Sequence, residues 1–175
     1  MKKHAALVSL LALALALAWP AGSGATAPNN QAGSYEFFIE VPNVAMASNG
    51  DTIAITGDGA FAVHPKSASG GGDFTHTFAG GGSASGTWKV NGLVDFQPYG
   101  CGVIFGTPIP PELCGGRASV DVTFTGPAGS LPGRITIFCQ IGSPPPSAEE
   151  GVHVNVPGIA NFNKQVSGMN VYVRP

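Results

Sequence analysis

At 175 residues, with 26 glycines, 15 prolines and charge on only 10% of positions, the chain has the makeup of a strand-and-turn protein with room for one hydrophobic core. Its formal net charge is −2. The basic residues beyond the N-terminus (Lys66, Lys89, Arg117, Arg134, Lys164 and Arg174) stand singly, which excludes a nucleic-acid surface built on clustered cations.

The chain begins with a positive head, Met1-Lys2-Lys3-His4, followed by an apolar run from Ala5 to Trp19. Pro20 and Gly22 break the run, and small residues follow. This is the order of an export signal, predicted over 1–25 with cleavage after Ala25. The run has 15 residues, short of the roughly 20 needed to cross a bilayer, and no cysteine follows it closely to carry a lipid. Loss of Lys2 and Lys3 leaves six basic against ten acidic residues, a formal charge of −4. The expected product is a bacterial-type secreted protein (periplasm, cell wall or medium) without a membrane span, with a polar, flexible leader over 26–34 and a single all-β domain over 35–175.

Within that domain Tyr35, Phe37, Ile39 and Val41 alternate with Glu36, Phe38 and Glu40, the signature of a half-buried strand. The same rhythm runs through Val120, Val122 and Phe124, then Ile135, Ile137, Cys139 and Ile141, then Val152, Val154 and Val156. Shorter strands are predicted at 52–56, 60–64, 73–78, 83–90, 93–97, 162–166 and 170–173. Turn formers lie between them: Asn49-Gly50, Gly57-Asp58-Gly59, Gly70-Gly71-Gly72, Gly80-Gly81-Gly82, Asn91-Gly92, Pro127 to Gly133 and Pro144-Pro145-Pro146. Asn91-Gly92 reads as a type I′ hairpin turn. No stretch of a dozen residues beyond the leader holds a helical period free of Gly or Pro. The pattern predicts an antiparallel β-sandwich of about ten short strands, with a closed β-barrel as the alternative.

Gly86-Thr87-Trp88 resembles the Gly-x-Trp element of lipocalin-like and avidin-like barrels. The resemblance covers three residues and implies a closed barrel holding a small apolar ligand. In those families the element lies on the first strand, whereas several strands precede it here, and no binding residue carries over.

Of the three cysteines, Cys101 and Cys114 bracket a Gly/Pro-rich excursion that is costly to order without a tie, so a bridge is expected between them, worth about 3 kcal/mol in the chain-entropy model. Cys139, following Ile135 and Ile137, reads as a free buried thiol. A pairing of Cys139 with either of the others is the rival, and a nucleophilic or metal-binding role would need a His beside it.

The histidines His64, His76 and His153 show no metal-ligand spacing, and no cofactor motif is present. His76 shares a face with Phe74 and Phe78, which makes it either a half-buried side chain with one polar partner or part of a pocket with Phe78 and Trp88. Phe38 and Phe138 occupy outward positions among polar neighbours and, with Tyr99 beside Cys101, are the candidate ligand-binding residues. A loop folded over the two phenylalanines explains them equally. The function these features predict is a non-catalytic binding or structural module whose partner is a glycan, a peptide or a surface protein. The alternatives are a small hydrolase using outer-face groups such as His64, Glu36 and Asp121, and a barrel-type carrier of a small apolar ligand.

Overall fold

The computed structural model describes residues 33–175. The predicted export signal, its expected cleavage site and the expected leader up to Ala32 lie outside the described residues; Ser34, expected in the leader, instead opens the first strand. The architecture is all-β and antiparallel, with no helix among the described residues. In chain order the strands are β1 (Ser34–Ala47), β2 (Thr52–Ala62), β3 (Ser67–Thr77), β4 (Ser83–Cys101), β5 (Val103–Ile104), β6 (Thr107–Pro108), β7 (Leu113–Gly126), β8 (Gly129–Cys139), β9 (Gly151–Val156), β10 (Ala160–Ser167) and β11 (Val171–Val173).

Nine strands form one sheet in the order β10-β9-β8-β7-β11-β1-β2-β3-β4, and β5 pairs with β6 alone. Two further pairings, β10 with β1 and β7 with β4, join distant parts of that order, so the facing layers are portions of one continuous sheet curling around one core. β11 wedges between β1 and β7 at one end, where Phe37 meets Tyr172 and Tyr172 meets Cys114. At the other end β1 pairs with β10 instead, from Val44 onward. The exchange of partners falls at Val41-Pro42: proline has no N–H to offer the ladder, and the β1–β2 register slips between Ile39 and Asn43. Asn43 fills the gap, fully buried, its Nδ2 donating to Val41 O (2.9 Å) and Met169 O (3.3 Å).

The alternating positions point inward as expected, with Tyr35, Phe37, Ile39, Val120, Val122, Phe124, Ile135, Ile137, Val152, Val154 and Val156 all buried; Val41, assigned to the same phase, is instead exposed, because the β1–β2 register slips after Ile39. Tyr35, Phe61, Phe96 and Tyr172 fill the β11 end of the core, with neighbouring ring centroids 4.8 to 5.7 Å apart. Trp88 is buried and donates its indole N–H to Thr56 O at 2.9 Å.

Three of the predicted turns are not turns. Gly57-Asp58-Gly59 lies in β2 and Gly70-Gly71-Gly72 in β3, and they pair with each other: Gly57 with Gly72, Gly59 with Gly70. The glycines are there because backbone and rings crowd the space a Cβ would need; at Gly57 it would meet Gly71 O at 2.3 Å and Trp88 Cζ2 at 2.6 Å. Asn91-Gly92 is a bulge within the long β4, whose register against β7 shifts between Val90 and Gly92. The true reversals include residues 48–51, 78–82, 127–128 and 157–159, at one end of the sheet, while the excursion between β4 and β7 and the connections 140–150 and 168–170 gather at the other.

Candidate functional site

The excursion between β4 and β7 is tied at its base by a Cys101–Cys114 disulfide. The two cysteines are also cross-strand partners on β4 and β7. Above the bridge the chain folds into the small β5–β6 hairpin, in which Gly102 N–H donates to Leu113 O and Ile109 N–H to Gly102 O. Phe105 sits at its tip in left-handed conformation (φ 48°) and is 80% exposed. The loop is stitched to the connection after β8, where Gly142 N–H donates to Val103 O and Ser143 N–H to Tyr99 O, each at 2.7 Å.

Beneath the hairpin the sheet forks. β7 pairs with β8 from Gly116 onward but with β11 at Leu113 and Cys114, so β8 and β11 diverge. Tyr172 spans the fork: its hydroxyl donates to Ile137 O at 2.8 Å and accepts from Ala118 N–H at 3.2 Å. Asn170, 4% exposed, donates through Nδ2 to Phe138 O (2.9 Å) and Gly151 O (2.7 Å). Glu150 closes the arrangement, accepting from Gln140 N–H at 2.7 Å and from Asn170 N–H at 2.9 Å. Burial raises the Glu150 carboxyl above its ordinary range, against these main-chain donors. By linkage its contribution to stability is full below the unfolded carboxylate range and is lost as pH rises through its folded value.

Hairpin and fork enclose a cleft of about 410 Å³. Ile104, Phe105, Ile109, Leu113, Ile141 and Val171 form its apolar wall; Glu40, Gln140, Glu150 and Asn170 supply the polar groups. Exposed Val41, Val103 and Met169 lie in the same segments. The size falls within the roughly 300–1,000 Å³ of small-molecule sites.

A second, smaller cleft of about 250 Å³ lies at the opposite end, among the reversals. His76, Phe78, Phe74, Phe124, Leu131 and Ile159 line it. His76 meets both alternatives set for it: it lines this pocket with Phe78, and its Nε2 lies 3.0 Å from Asp51 Oδ2. Asp51 in turn accepts from Ala79 N–H at 2.8 Å, and that bond, more than the histidine, holds its carboxyl below the usual range. Asp51 thereby ties the β3–β4 reversal to the β1–β2 reversal. Trp88 does not line this pocket; it lies in the core, Phe37 being 6.5 Å away between ring centroids.

Phe38 and Phe138 are each half-buried. His153 packs against Phe138 in an edge-type contact, ring centroids 4.8 Å apart. β11 and β7 intervene between the strands that carry Phe38 and Phe138. Tyr99 is half-buried beside the bridge, its carbonyl engaged by Ser143. Of the outer-face groups, Asp121 pairs with Arg134 at 2.8 Å, and neither His64 nor Glu36 has an ionic partner among the described residues. No group of three His, Cys, Asp or Glu suited to a metal occurs among the described residues.

Cys139 is free and buried, as expected, and burial pushes its thiol up to about 12. At pH 8 the thiol is therefore held in its unreactive protonated form. Iodoacetamide is expected to leave Cys139 unmodified in the folded protein and to label one thiol per chain after denaturation without reductant. Labelling of the native protein within minutes would contradict the burial.

The residues that sequence reasoning missed as site members include Asn170, Glu150, Ile104, Ile109 and Met169, brought together by the fork. Comparison with known proteins found no match among family models, curated proteins or solved structures.

Proposed function

We propose that the chain is exported and acts outside the cytoplasm as a non-catalytic binding module, taking a small apolar or amphipathic molecule in the cleft under the disulfide-tied hairpin. The observation that carries this reading is the cleft itself: apolar walls, a few convergent polar groups, and a loop held over it by a covalent bridge. The export signal read from residues 1–25 and a disulfide that suits oxidising compartments support the location. A hydrolytic reading draws on His76 beside Asp51, but the walls of that pocket offer no hydroxyl, thiol or second carboxylate to complete a reacting set. A thermal-shift screen of small apolar and amphipathic molecules tests the reading. Compounds that raise the melting temperature of the wild type are expected to lose that effect in Ile109→Asp and keep it in Phe78→Asp. The reverse pattern would move the site to the His76 end.

A further inference from the structure

We infer that the cleft under the hairpin selects an amphipathic cation, a molecule with a hydrocarbon body and a primary ammonium head. The inference rests on the binding-module reading and adds the charge of the ligand. Three observations lead to it.

The cleft is acidic without compensation. Its charged groups are Glu40 and Glu150, and no Lys, Arg or His lines it. Neither carboxylate has a basic partner within 4 Å among the described residues. Glu150 is satisfied in hydrogen bonds by main-chain N–H groups, yet those dipoles leave its negative charge in an apolar surround where a counter-ion acts more strongly than in water.

Asn170 lacks a donor. This residue of the cleft wall is 4% exposed and places both Nδ2 hydrogens on carbonyls, while its Oδ1 is buried without a partner. An unmet buried acceptor is destabilising, and a ligand N–H reaching it through a small shift of the Asn170 side chain would relieve that cost. Because Asn170 N–H donates to Glu150, the empty acceptor and the free charge belong to one corner of the cleft.

Apart from Gln140 and Cys139, the remaining side chains of the wall are apolar. Ile104, Ile109, Leu113 and Val171 offer no polar side chain. A body of methylene groups fits it, and an ammonium, with three N–H donors and no acceptor, matches acceptors and carboxylates that have no other cation.

Isothermal titration of the folded protein with n-hexylammonium, 1-hexanol and hexanoate at pH 7 separates the contributions. Hexylammonium is expected to bind at least tenfold more tightly than hexanol, with no detectable binding of hexanoate. Glu150→Gln is expected to abolish the preference; because Glu150 also organises main-chain donors, Glu40→Gln, on an exposed side chain, serves as the second variant and should reduce the preference severalfold with an unchanged melting temperature. Equal affinity for hexylammonium and hexanol would overturn the cation selectivity while leaving the binding module standing. Absence of binding by all three would remove both.

Discussion

Gly57→Ala is expected to unfold the domain, and deleting the Trp88 ring in the same chain is not expected to restore it. An added Cβ at position 57 would lie 2.6 Å from Trp88 Cζ2, a contact the double variant Gly57→Ala/Trp88→Ala relieves. It would also lie 2.3 Å from Gly71 O and 2.9 Å from Gly72 Cα, which belong to the paired strand and cannot move without opening the β2–β3 ladder. The φ of 148° adds strain that only glycine avoids. Trp88→Ala alone removes a fully packed ring and the donor to Thr56 O, costing about 3–5 kcal/mol. Against a total stability of about 5–15 kcal/mol the loss of the Trp88 ring is already a large share, and the backbone clash at position 57 persists without it. Urea melts followed by circular dichroism decide it: a double variant more stable than Gly57→Ala would mean that the ring, not the backbone, demands glycine.

The second large effect is expected from Cys101→Ser/Cys114→Ser. The bridge closes a loop with 13 residues of sequence separation, worth about 3 kcal/mol, or roughly 10 °C in melting temperature for a domain of this size. Its loss also frees the segment that carries Ile104, Phe105 and Ile109 over the cleft, so ligand affinity should fall at least tenfold. The main-chain bonds from Gly102 to Leu113 and from Gly142 to Val103 do not involve the bridge, and neither does that from Ser143 to Tyr99 at its base. If melting temperature and affinity both stay at the wild-type values, those bonds rather than the disulfide hold the loop.

The strands were legible because period-two alternation is a direct imprint of one buried face. Tyr35 to Ile39, Val120 to Phe124 and Val152 to Val156 all point inward as their spacing demands. The buried thiol was legible for the same reason, since Cys139 shares its phase with Ile135 and Ile137, and the bridge because Cys101 and Cys114 bracket an excursion that needs a tie. Glycine misled because it serves two purposes. Gly57-Asp58-Gly59 and Gly70-Gly71-Gly72 look like turns in isolation but stand symmetrically about the His64-Pro65 reversal, which is the spacing of cross-strand partners making room for rings. What no local pattern carries is which strands meet. The pairings of β10 and β11 with β1 bring together residues more than 100 positions apart, such as Val44 and Ser167, and β11 then joins β1 to β7. The fork follows from that topology, and with it the grouping of Asn170, Glu150 and Ile104 around one cleft. The His76–Asp51 pair was half legible: the ring's place between Phe74 and Phe78 was visible in sequence, its carboxylate partner on a separate reversal was not.

The most direct measurement is methyl NMR of the chain titrated with n-hexylammonium. The account predicts shift changes concentrated on the methyls of Ile104, Ile109, Leu113 and Val171, with intermolecular contacts from the hexyl chain to the same groups. Changes confined to Leu131 and Ile159 at the opposite end, or none anywhere, would contradict it.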